Sequence, residues 1–169
     1  MGAYRSLASF GKRQEYAAIS ELLKRSYHVY QILIDDQGID CVIRKIVNGR
    51  PAYVDLQIKA RSKDCIPIDA GRIAAFEIKE PRENFLFMFH SEQTGSYWIT
   101  PSLELVRLAS RNKTGKNAGK YHVLLTGIQS GKAITNPRFD LFRDENGYGK
   151  LEEAFVVINL SSVHYQPPV

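Results

Sequence analysis

The most informative residue of the first helix is a carboxylate placed among apolar positions. Glu15 precedes a set of apolar residues at helical spacing, namely Ala18, Ile19, Leu22 and Leu23. It therefore lies on the stripe that should face the rest of the fold. A carboxylate there is costly unless it is paired, bound to a metal ion or placed beside a wet pocket. The alternative is a first-turn residue that reaches solvent and favours the helix dipole.

A second polar group lies on a predicted β-hairpin. Asn48-Gly49 separates two segments of alternating polarity, Ile39–Val47 and Ala52–Arg61. This dipeptide is a strong signal for a two-residue turn, which pairs Val47 with Arg50. The register then places Asp40 opposite Gln57. The same face carries Asp55, Lys59 and Arg61, and it is either a functional site or simply a solvated face.

The opposite face of the predicted hairpin supports this register. In it Ile39 faces Ile58, Cys41 faces Leu56, and Ile43 faces Val54. Because all six residues are apolar, one register sorts a complete core face from a complete polar face. The hairpin therefore brings a carboxylate, an amide and an ammonium group to one side of a sheet.

The remaining elements predict an α/β fold. The predicted elements are a helix over Ser9–Arg25, strands at His28–Ile34, Phe85–His90, Ser96–Thr100 and Tyr121–Thr126, a helix from Pro101-Ser102 to about Ser110, and a helix or strand at Leu151–Ile158. Phe85–His90 is apolar on both faces, which is typical of a central strand. This order favours a mixed central sheet flanked by helices.

Composition excludes several classes of protein. The chain has 169 residues, a length that suits one domain without a disulfide scaffold. Its apolar runs are far shorter than the roughly 20 residues of a membrane helix, and no signal peptide is evident, so we expect a cytoplasmic protein. Cys41 and Cys65 form no metal-binding pair. The net charge of +5 permits an acidic partner without establishing one.

Three motifs together resemble a known superfamily. Glu15 on an opening helix, Asp40 in the sequence Gly-Ile-Asp, and Gln57-Ile58-Lys59 on the next strand are similar to the PD-(D/E)XK nucleases. The likeness is to the branch with a Q-x-K motif, which includes Mrr-like endonucleases and an uncharacterised bacterial family. It covers about residues 11–110 and implies a restriction-endonuclease-like core. Residues 111–169 are then a C-terminal extension of the same single domain.

The resemblance implies hydrolysis of DNA with Mg²⁺, for which Mn²⁺ can substitute. Mg²⁺ activates water, neutralises phosphate charge and prefers oxygen ligands. Asp40 would be the main metal ligand, joined by the side-chain oxygen of Gln57 and the backbone carbonyl of Ile58. Lys59 would orient the attacking water and stabilise developing negative charge. Glu15 would act behind these ligands or help to hold a second ion through water.

Gln57 departs from the commoner pattern, which has Glu at this place. A neutral amide lowers metal affinity or makes the site depend more on Glu15 and on the DNA phosphate. Active nucleases with Gln here exist in the superfamily, so the change does not imply loss of activity. It does leave a degenerate DNA-binding module as an alternative, and a third reading is a protein-interaction subunit whose polar hairpin face contacts a partner. Asp55 is either a compensating carboxylate or an exposed residue paired with Arg44 or Lys59.

Several basic residues are candidates for contacts with DNA phosphates. They are Lys12 and Arg13 on the first helix, Arg61 on the hairpin, and Lys113, Lys116 and Lys120 in the loop Arg111–Lys120. A solvated basic loop is the alternative for the last three. Cutting two strands requires two sites, so a homodimer is an option that the sequence leaves open. Restriction, repair or mobile-element biology would be the setting.

Overall fold

A computed structural model describes residues 2–33 and 37–163. The first helix, α1, spans Gly2–Lys24 and begins earlier than predicted. Its buried stripe is Gln14, Ala18 and Leu22, at intervals of four residues, whereas Leu23 is 54% exposed. The prediction that Leu23 lies on the buried stripe is therefore wrong, because the stripe is centred one position earlier along the helix.

The predicted hairpin is present in the predicted register. Strand β2 is Cys41–Val47 and strand β3 is Arg50–Arg61, with Val47 paired to Arg50 and Cys41 paired to Leu56. Asn48 and Gly49 have φ angles of 52° and 77°. A two-residue hairpin turn of this kind needs positive φ at both positions, which Asn-Gly adopts at little cost. Strand β1, His28–Gln31, pairs antiparallel with β2; the predicted strand reached Ile34, which lies outside the described residues.

The central sheet is mixed, as predicted. Strand β5, Phe85–Ser91, lies parallel to β3, and strand β6, Ser96–Pro101, lies antiparallel to β5, which gives the order β1-β2-β3-β5-β6. The five residues Phe85–Phe89 are all buried, as expected for an apolar central strand. Between β3 and β5 the chain forms a 3-10 turn at Pro67–Asp69 and strand β4 at Arg72–Phe76.

The rest of the described chain completes two small sheets and adds two helices and one 3-10 segment. Helix α2 spans Ser102–Leu108; strands β7 and β8 are Ser110–Arg111 and Tyr121–Leu124; strands β9 and β10 are Thr126–Gln129 and Lys132–Thr135; a 3-10 segment covers Pro137–Phe142; and helix α3 spans Asp144–Val163. The order in the three-stranded sheet is β4-β8-β7. Residues 151–158, predicted as helix or strand, are thus helical.

Two cores lie on opposite faces of the central sheet. On one face α1 and α3 pack through residues such as Leu22 and Phe155. On the other face the ring of Phe76 from β4 lies 5.7 Å from the rings of both Phe87 and Phe89. Aromatic pairs at such distances contribute about 0.5–1.5 kcal/mol beyond area burial. Helix α3 therefore packs on the same sheet as the predicted 11–110 core.

One core residue lies on the unpredicted side. Ile39 belongs to the aromatic cluster and not to the cluster that contains Cys41 and Ile58. Regular pairing of β2 with β3 ends at Cys41 and Leu56. The alternation that places successive side chains on opposite faces therefore does not extend to Ile39. The predicted Ile39–Ile58 pair is wrong for this reason.

Candidate functional site

Asp40 is bound to β3 on both sides of Gln57. Its backbone N–H donates to the carbonyl of Leu56 at 2.9 Å. Its carboxylate oxygen Oδ2 accepts a hydrogen bond from the backbone N–H of Ile58 at 2.6 Å. The predicted strand pairing of Asp40 with Gln57 is wrong, because the ladder ends at Cys41 and Leu56 and these two bonds take its place. The result still places Asp40 beside Gln57 and fixes one of its carboxylate oxygens.

The Gln57 side chain is 8% exposed and lies under the segment that leads to Asp40. Gly38 has φ +76°, and a Cβ added there would lie 2.8 Å from Gln57 Nε2. Gly38 is therefore required for two reasons. Its backbone is in the left-handed region, and it lies too close to the Gln57 amide to leave room for a side chain. The 38–40 segment therefore lies directly against the side chain predicted to be a metal ligand.

Glu15 lies at the same end of the hairpin and carries an ion pair. Lys12 Nζ lies 2.5 Å from Glu15 Oε2. This hydrogen bond is the largest of the effects that raise the pKa of Lys12, and the charge of Asp40 also contributes. Burial, followed by the charges of Asp40 and Glu15, raises the pKa of Cys41 to about 12. Both carboxylates are therefore close enough to act on the residue that follows Asp40, and Cys41 stays an inert thiol.

A cleft of about 450 Å³ opens beside Gln57 and Lys59. Its far wall is β4 and the residues after it, held by the aromatic contacts of Phe76. Three further charged residues line it, namely Glu77, Lys79 and Lys120. The structure thus brings together three predicted residues, Gln57, Lys59 and Lys120. Glu15 and Asp40 are not among the described residues that line the cleft.

Glu77 and Lys79 were not predicted as site residues. They follow β4, and their spacing to the hairpin motifs carries no local signal, because a tertiary approach of two strands joins them. The wall itself is irregular, since Ala75 has φ +58° and the pairing of β4 with β8 shifts between Ile73 and Phe76. A bulge of this kind redirects side chains next to a site.

The other predicted residues differ in position. Arg13, Lys113 and Lys116 are exposed, and none of them lines the cleft. Arg61 is half-buried, with its Nη2 atom 3.8 Å from Asp69 Oδ2. Asp55 is bound neither to Arg44 nor to Lys59; its Oδ2 accepts a hydrogen bond from Arg82 Nη2 at 2.6 Å. The predicted partners of Asp55 are therefore wrong, and its charge is neutralised from the segment that precedes β5.

A buried polar network next to Glu15 was also missed. Gln14 is 6% exposed, and its amide nitrogen donates to Glu92 Oε1 at 2.5 Å. Its amide oxygen lies 2.7 Å from His90 Nδ1. The ring of His90 in turn stacks on Tyr97 with a centroid distance of 4.3 Å, and burial lowers the pKa of the imidazole. These bonds join α1 to the end of β5 and fix the helix that carries Glu15.

A larger cavity, of about 550 Å³, holds none of the predicted residues. It lies between β6 and the β9–β10 hairpin, and Arg143 lines it. The guanidinium donates to Ser96 Oγ at 2.8 Å and to the hydroxyl of Thr135, and it lies 3.0 Å from Asp144 Oδ2. These bonds satisfy Arg143 within the fold, so the residue joins β6 to the last helix.

Metal coordination has limited support from acidic residues. Within residues 2–33 and 37–163, no three His, Cys, Asp or Glu side chains are clustered closely enough to hold a metal ion. The predicted set of Asp40, Gln57 and Glu15 depends on an amide oxygen as its third donor. In the same described ranges no helix is long and apolar enough to cross a membrane.

Comparison with known proteins identifies the fold. No protein-family model matches the chain, and no curated protein matches it. Among solved structures, the chain is similar to the bacterial homing endonuclease I-Ssp6803I, with a TM-score of 0.58 and 14% sequence identity. The likeness covers 89% of this chain and 94% of that one. At this identity the comparison shows a shared fold, which is the mixed sheet with flanking helices that the sequence predicted.

Proposed function

We propose that the protein is a metal-dependent DNA endonuclease. The observation that carries the proposal is the position of Asp40, whose carboxylate is bound to the backbone between Gln57 and Lys59. The shared fold with a homing endonuclease supports an enzyme that cuts DNA. We place the activity in the cytoplasm, in restriction, repair or mobile-element biology, and a homodimer would supply the second site for a double-strand cut.

The donor set fits Mg²⁺, which prefers carboxylate and carbonyl oxygens and keeps several waters. Asp40 and the amide oxygen of Gln57 would hold the ion together with the carbonyl of Ile58, and Glu15 would support it from α1. A bound Mg²⁺ polarises the phosphate and lowers the pKa of water. Asp40 Oδ2 already accepts the Ile58 N–H, so this residue is oriented before any ligand arrives.

The cleft lysines would act on the phosphate. Lys59 is on the same face of β3 as Gln57, two residues further on, and both line the cleft. Its ammonium would orient the attacking water and stabilise negative charge in the transition state. Lys79 and Lys120 line the same cleft from other elements and would bind neighbouring phosphates of the strand. Arg13, Lys113 and Lys116 would extend this contact outside the cleft.

Plasmid nicking with Mg²⁺ or Mn²⁺ tests the proposal. Asp40→Asn keeps an oxygen that can accept the Ile58 N–H and removes the charge, so the fold is expected to survive while nicking falls by at least about 100-fold. Lys59→Ala should lose activity similarly, whereas Lys63→Ala is a matched control at an exposed lysine beyond β3. Nicking that survives both Asp40→Asn and Lys59→Ala would refute the assignment.

A DNA-binding module of the same fold is the second candidate. The neutral amide of Gln57 favours it, because it leaves the proposed metal site one charge short of the commoner pattern. This candidate expects DNA affinity that falls steeply with salt and shows no metal-stimulated cleavage. If DNA does not bind even at low salt, a protein-interaction subunit would replace both candidates.

A further inference from the structure

The face of the central sheet that carries Gln57 and Lys59 continues beyond the cleft. On β3 the side chains of Tyr53, Asp55, Gln57 and Lys59 alternate onto this face. The aromatic core covers it over β5, β6 and the second half of β3. Over β1, the first half of β3 and the Arg44–Ile46 part of β2 it stays largely uncovered, since Tyr30, Ile46 and Tyr53 are 52%, 51% and 47% exposed. Val42 of β2 packs against the edge of the aromatic core.

Strand register shows which side chains share this uncovered face. His28, Arg44 and Tyr53 are paired in one row across β1, β2 and β3. The next row joins Tyr30 to Val42 and Val42 to Asp55. The face therefore presents two exposed tyrosines on either side of Arg44. We call the set of His28, Tyr30, Arg44 and Tyr53 the tyrosine face.

The charge on this face suits a polyanion. Among the described residues of these two rows, the acidic one is Asp55. Its charge is neutralised by Arg82, whose Nη2 atom lies 2.6 Å from Asp55 Oδ2. Arg44 is half-buried at the centre of the face, and Arg50 is exposed at the end of the hairpin. An aromatic surface with interspersed arginine is the arrangement by which proteins bind unpaired nucleic-acid strands, since bases stack on rings and phosphates bind cations.

The tyrosine face and the cleft are separated by a short distance along one strand. Four residues of β3 separate Tyr53 from Gln57, which corresponds to about 13 Å. A DNA strand covers that length in at most about four nucleotides, the number needed at the close spacing of B-form DNA. The same strand can therefore occupy the cleft and the tyrosine face together.

We propose that the tyrosine face binds an unpaired stretch of DNA that continues from the strand in the cleft. The inference rests on the proposed endonuclease function and adds a substrate class, DNA with a single-stranded segment beside the cut. Tyr30 and Tyr53 stack on bases, and Arg44 binds the phosphate between them. Paired bases cannot stack in this way, because their faces are already covered by neighbours in the duplex.

Fluorescence anisotropy without metal tests the proposal, with a labelled single strand, a blunt duplex of the same sequence, and that duplex with an overhang. The wild-type protein should bind the single strand and the overhang more tightly than the blunt duplex. Combining Tyr30→Ser with Tyr53→Ser should weaken single-strand binding at least about fivefold. Tyr53→Phe keeps the ring and should bind like wild type. Circular dichroism should show an unchanged fold, because both tyrosines are about half exposed.

An arginine pair supplies a second control. Arg44→Ala should weaken binding and reduce its salt dependence. Arg107→Ala, at a residue 74% exposed on α2, should change neither. The proposal is overturned if the doubly substituted protein binds the single strand like wild type, if wild type shows no preference over blunt duplex, or if the substitutions dissociate an oligomer, which would make this face an interface between copies.

The two proposals fail separately. Suppose that Asp40→Asn and Lys59→Ala abolish nicking, but substitution of both tyrosines leaves single-strand binding unchanged. The endonuclease proposal is then supported and the proposal for the tyrosine face is refuted. If the wild-type protein does not nick DNA but its single-strand binding depends on the tyrosines, the binding surface is supported and the endonuclease proposal is refuted.

Discussion

Gly38 offers the sharpest test of how the site is built. In Gly38→Ala the new Cβ would lie 2.8 Å from Gln57 Nε2, whereas ordinary contact begins near 3.4 Å. The substitution also forces alanine into a left-handed backbone conformation, at a cost of about 1–2 kcal/mol. Since the colliding atom ends a side chain, Gln57 is expected to rotate away and the fold to survive. The substitution should therefore displace a proposed metal ligand directly.

Gly49 provides a matched control for the backbone term. Its φ of +77° is nearly the same as that of Gly38, but an added Cβ would meet nothing within 4 Å. Gly49→Ala should therefore lose about 1–2 kcal/mol of stability from backbone strain alone, a fall in Tm of roughly 2–8 °C at this chain length. Any additional loss of stability in Gly38→Ala is then due to the collision of its Cβ with Gln57.

The assay combines thermal denaturation with calorimetric titration of Mn²⁺. Both glycine variants should lose stability, Gly38→Ala more than Gly49→Ala because its new Cβ collides with Gln57, and Gly38→Ala alone should bind Mn²⁺ at least about tenfold more weakly and nick plasmid correspondingly slowly. In the double variant with Gln57→Ala the stability cost of Gly38→Ala should shrink, because the colliding amide is gone. Equal Mn²⁺ affinity in Gly38→Ala and Gly49→Ala would show that the approach of Gly38 to Gln57 does not position a metal ligand.

Two further predictions concern charges beside the site. Arg82→Ala leaves the Asp55 carboxylate without its partner at 2.6 Å and should lower the free energy of unfolding, measured in urea, by about 1–3 kcal/mol. The control Arg107→Ala, at an exposed residue, should lower it by almost nothing. Equal losses in the two variants would contradict this prediction. Burial lowers the pKa of His90 in the folded protein. As pH falls below about 6.5, His90 therefore binds a proton in the unfolded chain before it does so in the folded one. Stability present at neutral pH should then decline, and His90→Asn should flatten the dependence of Tm on pH; an unchanged slope would contradict the assignment.

The hairpin could be predicted because its information is local. Asn48-Gly49 fixes the turn, and the alternation on either side admits one register that buries an apolar face. The central position of β5 follows from a run of apolar residues that suits burial on both faces. These features placed Gln57 and Lys59 on one face without any knowledge of tertiary contacts.

The rest could not be predicted, because it depends on partners distant in sequence. From the sequence alone, Gln14 would be assigned to the solvent-exposed side of the helix. It is buried because Glu92 and His90, which are distant in sequence, form hydrogen bonds with its amide. Asp40 leaves the strand ladder because its carboxylate takes a backbone donor, and this also moves Ile39 to the other core. The cleft wall is β4 in the separate three-stranded sheet, of which only the segment Tyr121–Thr126 was predicted as a strand.

The parallel pairing of β3 with β5 has a consequence for the order of folding. Strands β2 and β3 meet across a two-residue turn, so their contacts are local and form on the timescale of a hairpin, about 1–10 μs. Strands β3 and β5 meet only after residues 62–84 have closed into a loop, which costs chain entropy before any contact repays it. Gln57 and Lys59 therefore gain their Phe87 and Phe89 neighbours late. A chain arrested before that step would have the hairpin strand that carries Gln57 and Lys59 but no cleft beside them.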